Sequence, residues 1–129
     1  MTSAVQILLA TYNGALFLPD QLRSIEEQTY GNIELIARDD CSEDNSKELL
    51  IKAKAKILPS EKRAGCIENF SRLLTSSTAP YLFFADQDDV WKSNKVSLCI
   101  EKMREEEMRH PSNTPLLLHT DLEVVDASL

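Results

Sequence analysis

Short apolar runs alternate with amphipathic stretches along the whole chain, and polar turns separate them. An apolar run of roughly four to eight residues bounded by turn residues predicts a strand buried on both faces. By this criterion we predict strands at residues 5–10, 33–38, 80–85 and 116–119, and a short strand at residues 56–58.

Between these runs, apolar residues recur at intervals of three and four, the spacing of one face of an α-helix. Four helices are therefore predicted, and Ser42 or Asp44 is expected to cap the second one. Strand and helix alternate throughout, which predicts an α/β fold with a mostly parallel sheet flanked by helices. The predicted inward-facing residues are Leu18, Leu22 and Ile25, then Leu49, Leu50 and Ala53, then Ile67, Phe70 and Leu74, and finally Val96, Ile100 and Met103.

Polar turns follow three of the predicted strands, at residues 11–14, 39–40 and 86–89. Ligands of open α/β sheets bind beyond the carboxyl ends of the strands, so these turns are expected to converge on one ligand. The sequence contains neither a GxGxxG dinucleotide loop nor a GxxxxGK[ST] phosphate loop. Phosphate recognition by backbone amides alone is therefore not expected.

The last of these turns, Asp86-Gln87-Asp88-Asp89, places three carboxylates within four residues. A divalent cation would relieve their mutual repulsion, and oxygen ligands of this kind suit Mg²⁺ or Mn²⁺. We expect a metal site here, because the preceding apolar strand directs the turn to the ligand-binding edge of the sheet. The alternative is a solvated acidic loop that caps a helix beginning near Trp91.

The other two turns also have plainer interpretations. Asp39 and Asp40 can form an N-capping turn for a helix that begins near Glu43, and spacing alone favours that interpretation. The Asn13-Gly14 pair can be a turn that simply requires a positive φ angle.

Composition changes this picture mainly by excluding partners. The 129 residues carry a net charge of −7, which argues against a nucleic-acid partner because phosphate backbones are bound by Lys and Arg. Cys41, Cys66 and Cys99 form no CxxC pair, so we expect core-filling thiols in a reducing, cytoplasmic compartment. His119, on the last predicted strand, is expected to be structural. A signal peptide and an apolar run of about 20 residues are both absent, which predicts a soluble chain.

Several blocks of the sequence resemble, in order, the motifs of family 2 glycosyltransferases with the GT-A fold, a Rossmann-like α/β fold. These blocks are residues 7–14, 24–30, 38–46, 65–70 and 84–91, followed by 119–122 and 124–126. One such block is a weak signal, whereas their order over nearly all of the chain is specific. The Asp-Gln-Asp-Asp-Val-Trp form of the acidic turn resembles the branch that contains rhamnosyltransferases of surface-polysaccharide synthesis.

The resemblance implies roles for the turn residues, position by position. Asp40 is expected to hydrogen-bond the pyrimidine ring of a nucleotide, with Asp39 beside it and Tyr12 lining the pocket. Apart from the resemblance, Arg63 and Lys62 are candidates for a phosphate contact, although most basic surface residues bind nothing specific. The expected nucleotide-binding set is Thr11, Tyr12, Asn13, Asp39, Asp40, Arg63 and Asp86, and the expected ligands of Mg²⁺ or Mn²⁺ are Asp88 and Asp89, in a DxD-type motif.

The resemblance further implies inverting transfer of a sugar from a UDP- or dTDP-sugar to a saccharide or lipid-linked acceptor. The cation would stabilise the charge that develops on the leaving nucleoside diphosphate. Such an enzyme needs a general base for the acceptor hydroxyl, and Asp121, Glu123 and Asp126 come too early in the family order for that role. We therefore expect residues 1–129 to be the nucleotide-sugar-binding part of a truncated GT-A domain, with the base beyond the chain end.

Two other functions stay open at this point. One is a nucleotide-sugar-binding fragment without turnover. The other is a haloacid-dehalogenase-like phosphatase, whose DxDx[TV] signature the segment 86–90 superficially matches, although too little chain follows for its partner residues. An exposed edge strand would favour a homodimer, and lipid-linked acceptors would place the protein at the inner face of the membrane.

Overall fold

The structure, a computed structural model, describes residues 2–129. Contacts divide the chain into two compact units, with the boundary between Ser97 and Leu98, inside the last helix. The strands are β1 (Val5–Thr11), β2 (Ile33–Asp39), β3 (Lys56–Ile57) and β4 (Tyr81–Ala85), and the helices are α1 (Leu18–Glu26), α2 (Ser46–Lys52), α3 (Cys66–Ser76) and α4 (Lys95–Arg109).

The four strands form one sheet in the order β3-β2-β1-β4, and every pair of neighbours is parallel. Strand β1 lies in the middle, where Ile7, Leu8 and Leu9 are fully buried between helices on both faces. The predicted α/β fold with a parallel sheet is therefore confirmed. The strands predicted at residues 5–10, 33–38 and 80–85 correspond to β1, β2 and β4, and the short strand predicted at 56–58 corresponds to β3. Strands β1 and β2 each extend one residue further than predicted.

Side chains alternate between the two faces of each strand, so neighbouring strands present matching faces. Leu8 and Ile36 are paired across β1 and β2 and pack against Leu73 of α3. Ile33 and Leu35 lie on the opposite face of β2 and line a groove together with residues of α1 and α2. Helices thus cover both faces, as expected for a parallel sheet.

Helix α3 presents a different face to the sheet from the one predicted. Ile67 is 88% exposed and Leu74 is 47% exposed, whereas Leu73 and Asn69 are buried. The apolar spacing permits either helical phase, and the polar Asn69 lies inside because its Oδ1 accepts a hydrogen bond from the buried Arg38. The prediction that Ile67 and Leu74 face inward was wrong for this reason.

Three smaller predictions were also wrong. Residues 116–119 form no strand, and His119 is exposed, because within the described chain this run has no neighbouring strand to satisfy its backbone groups. Ala53 is exposed, since α2 ends at the preceding residue. Cys41 and Cys66 are exposed, so only Cys99 is a buried thiol as predicted. Among residues 2–129, no helix combines the length and the apolar character needed to cross a membrane.

Candidate functional site

The three polar turns lie at the same edge of the sheet. Thr11 is paired with Asp39 at the ends of β1 and β2, and Leu9 is paired with Ala85 near the ends of β1 and β4. The turns that follow these three parallel strands therefore begin next to one another at the same edge of the sheet. The expected convergence of the turns follows from this register.

The turns after β1 and β2 are joined through Asp39. Its Oδ1 accepts hydrogen bonds from Thr11 Oγ1 at 2.8 Å and from Ser42 Oγ at 2.6 Å, and its Oδ2 accepts one from Ser42 N at 2.9 Å. Asn13 closes the same connection, because its N–H donates to Ser42 Oγ and its Oδ1 accepts from Glu43 N. Asp39 is buried by these contacts and does not cap a helix.

The predicted helix cap is replaced by a local turn. Helix α2 begins at Ser46, and its N-cap residue Asn45 makes no side-chain capping bond. Asp44 accepts a hydrogen bond from Ser46 N at 2.9 Å and another from Ala15 N at 3.0 Å. Of the two expected caps, Asp44 thus contacts the first helical residue, while Ser42 binds Asp39 instead.

Asp40 holds the loop that precedes α3. Its oxygens accept hydrogen bonds from Ala64 N at 2.7 Å and Gly65 N at 2.8 Å, and Arg38 lies 3.5 Å away. Burial raises the pKa of the Asp40 carboxyl, but the hydrogen bonds from Ala64, Gly65 and Asn69 and the charge of Arg38 outweigh burial and leave this pKa below its usual value. The carboxyl is 2% exposed, so it is an ionised, fully engaged anchor.

Arg38 supplies the counter-charge below this anchor. Its guanidinium is buried and donates to Asn69 Oδ1 and to Asp40 Oδ1, whereas its Nε finds no acceptor among residues 2–129. A buried ion pair of this kind fixes the groups around it more than it stabilises the fold. Here it ties β2, α3 and the intervening loop together.

The same loop carries Arg63 to the first turn. The guanidinium of Arg63 lies over the ring of Tyr12, 3.8 Å from its centre, which is a cation–π contact. Arg63 is exposed and Tyr12 is half-buried, so the pair forms a wall beside the turns that a planar ligand can approach. The structure brings Arg63 together with the other predicted nucleotide contacts.

The acidic turn lies open to solvent at this edge. Asp86, Asp88 and Asp89 are all exposed. The neighbouring protein atoms still keep part of the solvent away from the Asp86 carboxyl, which raises its pKa, and the charges of Asp89 and Asp88 raise this pKa further. Within residues 2–129, no group of three or more His, Cys, Asp or Glu side chains is arranged to enclose a metal ion. A cation here would depend on oxygens from outside the chain to complete its shell, as Mg²⁺ does when it binds a diphosphate.

Two glutamines that were not selected from the sequence hold the acidic turn. Gln87 Oε1 accepts from Tyr12 N at 2.9 Å, and Gln87 Nε2 donates to Tyr12 O at 3.1 Å. Gln21 Nε2 donates to Asp86 O at 2.7 Å from a fully buried position on α1. The available signal for Gln21 was a polar residue on the apolar face of α1, between Leu18 and Ile25.

The first turn does not use glycine for its backbone angle. The positive φ of 45° falls on Asn13, whereas Gly14 lies outside the left-handed region. A Cβ at Gly14 would lie 2.2 Å from Gln87 Oε1. Gly14 therefore provides room for Gln87, and the positive φ expected of the Asn13-Gly14 turn is adopted by Asn13.

Comparisons with known proteins agree with this geometry. The family model "Glycosyl transferase family 2" matches residues 6–110. The chain is 36% identical over 103 residues to dTDP-rhamnosyl transferase RfbG of Shigella flexneri, covering 72% of this chain and 36% of that protein. It is 29% identical over 102 residues to the E. coli glucosyltransferase WfgD, covering 77% of this chain and 40% of that protein. The chain thus spans well under half the length of these relatives.

Solved structures show the same fold at low identity. S. aureus TarS (residues 1–349) in complex with UDP matches with a TM-score of 0.72 and 20% identity, over 79% of this chain and 32% of that one. The mannosyltransferase PcManGT of Pyrobaculum calidifontis, in complex with GDP-Man and Mn²⁺, matches with a TM-score of 0.72 and 19% identity, over 78% and 32%. Fold, sequence similarity and family model agree: the chain belongs to glycosyl transferase family 2 and has the GT-A fold.

Proposed function

We propose that this chain is the donor-binding part of an inverting glycosyltransferase of surface-polysaccharide synthesis. The donor would be a UDP- or dTDP-sugar, and the acceptor a saccharide or a lipid-linked saccharide. The convergence of three polar turns at one sheet edge, in a chain of family 2, carries the proposal. The relatives' names support it, since one is a dTDP-rhamnosyl transferase and another transfers from UDP-Glc to a GlcNAc-diphosphoundecaprenol.

The nucleoside would bind between the first two turns. Tyr12 and Arg63 would provide an aromatic and cationic wall for the base, and Asp40 would meet a ring N–H. A carboxylate accepts about four hydrogen bonds, and Asp40 is already bound by Ala64 N, Gly65 N and the side chains of Asn69 and Arg38. A ring N–H of the base would therefore have to replace one of these donors.

Three further residues would keep this pocket in shape. Asp39 accepts a hydrogen bond from Thr11 directly and is linked to Asn13 through Ser42, so the turns after β1 and β2 are held together. Their side chains would shape the nucleotide pocket in addition to holding it.

The acidic turn would bind the diphosphate through a cation. Asp88 and Asp89 would hold Mg²⁺ or Mn²⁺, with Asp86 on the nucleotide side. The donor set fits, because these are exposed, hard oxygen ligands and Mg²⁺ is commonly held by one or two carboxylates together with phosphate oxygens and water. When bound, the cation neutralises the charge that develops on the leaving nucleoside diphosphate.

Domain, compartment and assembly belong to the same proposal. Residues 1–129 would be the nucleotide-sugar-binding part of a GT-A domain, in the cytoplasm and peripheral at the inner membrane face, where a lipid-linked acceptor would be available. Strand β4 is an edge of the described sheet, which supports a homodimer. A nucleic-acid partner is not proposed, given the net charge of −7.

Calorimetric titration tests the binding part of the proposal. We expect UDP and dTDP to bind the chain and to bind more tightly when Mn²⁺ is present. Asp88→Ala should remove the Mn²⁺ dependence, whereas Glu48→Ala, which removes an exposed carboxylate from α2, should preserve it. Absence of nucleotide binding in both conditions would refute the proposal.

Two assays separate the alternatives. Transfer of a radiolabelled sugar to an undecaprenyl-diphosphate saccharide distinguishes an enzyme from a donor-binding module without turnover. Release of phosphate from a phosphomonoester would instead indicate the haloacid-dehalogenase-like phosphatase, which the family match over residues 6–110 argues against.

A further inference from the structure

We propose that Gln87 is a positioning residue that holds the nucleoside-binding turn and the acidic turn at a fixed separation. The nucleoside and the metal-bound diphosphate of one donor would then be recognised as a single unit. This inference rests on the proposed function, and it assigns a role to the one residue of the acidic turn that is not a carboxylate.

The side chain of Gln87 continues the β1–β4 pairing beyond the strands. The ladder between the strands ends at Leu9 and Ala85. Past that point, Gln87 Oε1 accepts from Tyr12 N at 2.9 Å and Gln87 Nε2 donates to Tyr12 O at 3.1 Å. A primary amide offers a donor and an acceptor on adjacent atoms, so it replaces a strand neighbour on both backbone groups of Tyr12.

The space around this amide is matched to it. A Cβ at Gly14 would lie 2.2 Å from Gln87 Oε1 and 2.4 Å from Gln87 Cδ. Any residue other than glycine at that position would therefore displace the amide from Tyr12. Since Gly14 is outside the left-handed region, its lack of a side chain serves this contact rather than a turn angle.

The acidic turn is held on its other side by α1. Gln21, fully buried, donates from Nε2 to Asp86 O at 2.7 Å, and its Oε1 accepts from Ser24 Oγ at 2.8 Å. Ser24 Oγ in turn accepts from Trp91 N at 3.0 Å. The backbone on both sides of Gln87 is thereby fixed to the scaffold, so its amide has a defined place from which to hold Tyr12.

Loss of the Gln87 contact would change the distance between the turn that binds the nucleoside and the turn that binds the diphosphate. Tyr12 carries the aromatic ring against which Arg63 lies, and Asp88 follows Gln87 directly in the chain. If the amide contact is lost, the mutually repelling carboxylates relax away from the first turn, and each half of the site survives separately. The role of Gln87 is therefore measured by how much a cation increases the affinity for a nucleoside diphosphate. Loss of a purely structural contact would lower the stability of the chain and leave that increase unchanged.

Calorimetry on the 129-residue chain, with uridine and with UDP in the absence and presence of Mn²⁺, tests this role. Gln87→Met keeps the length of the side chain and removes both hydrogen bonds. We expect the gain in UDP affinity from Mn²⁺ to fall by about tenfold, while metal-free uridine binding changes by less than about threefold. Gln87→Glu should also fail, because a carboxylate cannot donate to Tyr12 O.

Gln28→Met is the matched control. Gln28 also binds backbone groups, donating to Ser24 O and Lys92 O and accepting from Val96 N, but it lies outside the three turns. We expect this variant to lower the thermal midpoint and to keep the Mn²⁺ gain. An equal loss of the gain in Gln28→Met and Gln87→Met would overturn the positioning role.

A double variant gives an independent check. Gly14→Ala should reproduce the effect of Gln87→Met, and combining Gly14→Ala with Gln87→Ala should cost no more than Gln87→Ala alone, because the obstructed side chain is gone. Additive losses would overturn the inference.

If the unchanged chain binds no UDP, or binds it without metal dependence, the proposed function fails and this inference with it. A normal Mn²⁺ gain in Gln87→Met would overturn this inference alone.

Discussion

The guanidinium of Arg63 lies 3.8 Å from the centre of the Tyr12 ring, although 50 intervening positions separate the two residues in the chain. The contact exists because Asp40 binds the two residues after Arg63, through Ala64 N and Gly65 N. A buried carboxylate directly after β2 therefore determines which side chain covers the first turn. The proposed nucleotide recognition would therefore be coupled to the conformation of this loop through Asp40.

The first prediction concerns Arg63 itself. Arg63→Ala should weaken UDP binding by about three- to tenfold, because the cation and the face it forms with Tyr12 are lost. The thermal midpoint should hardly change, since Arg63 is exposed. Calorimetry and thermal unfolding measure both quantities. The neighbouring Lys62→Ala is the control, because it also removes one positive charge. An equal loss of affinity in both variants would show that net charge, and not the contact with Tyr12, is responsible.

The second prediction concerns Asp40. Asp40→Asn should lower the free energy of unfolding by about 3 kcal/mol, because one backbone N–H would face an amide donor and the buried Arg38 would lose its counter-charge. Urea unfolding gives this value. Asp20→Asn is the control, since its pair with Arg23 is exposed and should contribute far less. A loss as small as that of Asp20→Asn would contradict the anchoring role of Asp40.

The pH dependence of Asp40 follows from the same contacts. Because the pKa of Asp40 is lower in the folded chain than its usual value of 3.8, its stabilisation is present above that value. It is lost as the pH falls through the lower, folded-state pKa. Asp40→Asn should therefore flatten the acid limb of a plot of unfolding free energy against pH. An acid limb identical to that of the unchanged chain would contradict the assignment.

The third prediction concerns Asp86, whose pKa shifts in the opposite direction. Its carboxyl has a raised pKa, from partial burial and then from the charges of Asp89 and Asp88, so its ionised form weakens the fold at neutral pH. Asp86→Asn should therefore unfold at a higher temperature than the unchanged chain at pH 7. The difference should shrink as the pH falls through the raised pKa, where Asp86 becomes neutral in both proteins.

The same variant should lose function. Asp86→Asn is expected to bind UDP more weakly in the presence of Mn²⁺, because one acidic oxygen of the turn is replaced by a neutral amide. A more stable chain with weaker donor binding would indicate that the acidic turn is retained for its ligand rather than for the fold. Unchanged affinity would remove Asp86 from the proposed site.

The fourth prediction tests the orientation of α3. Leu73→Ala should cost about 3 kcal/mol of unfolding free energy, because Leu73 packs against Leu8 and Ile36 in a buried cluster. Leu74→Ala makes the same chemical change on a side chain that is 47% exposed, and it should cost much less. Urea unfolding of the two variants compares them directly. The reverse order would restore the inward-facing Leu74 that the apolar spacing suggested.

The sequence by itself determined the four strands of the sheet, their parallel arrangement and the position of the turns, although it also predicted a strand at residues 116–119 that does not form. Continuous apolar runs such as the one in β1 can be buried only between two helical layers, and that requirement is local in sequence. The turn residues were visible because polar side chains directly after such runs must lie at the edge of a sheet. The sequence blocks that resemble the family's motifs contain these same turn residues.

Only the tertiary structure decided which face α3 presents to the sheet and which partners the buried polar side chains bind. Asn69 of α3 faces the sheet and Leu74 faces solvent, because Asn69 binds Arg38 of β2. A glycine is needed at position 14 because Gln87 fills the space beside it, and Asp40 is buried because it binds Ala64 N and Gly65 N. These partners lie far along the chain. Apolar periodicity in the sequence indicates which residues of an element can be buried. A buried polar side chain also needs a hydrogen-bond partner, and the fold determines which residue that partner is.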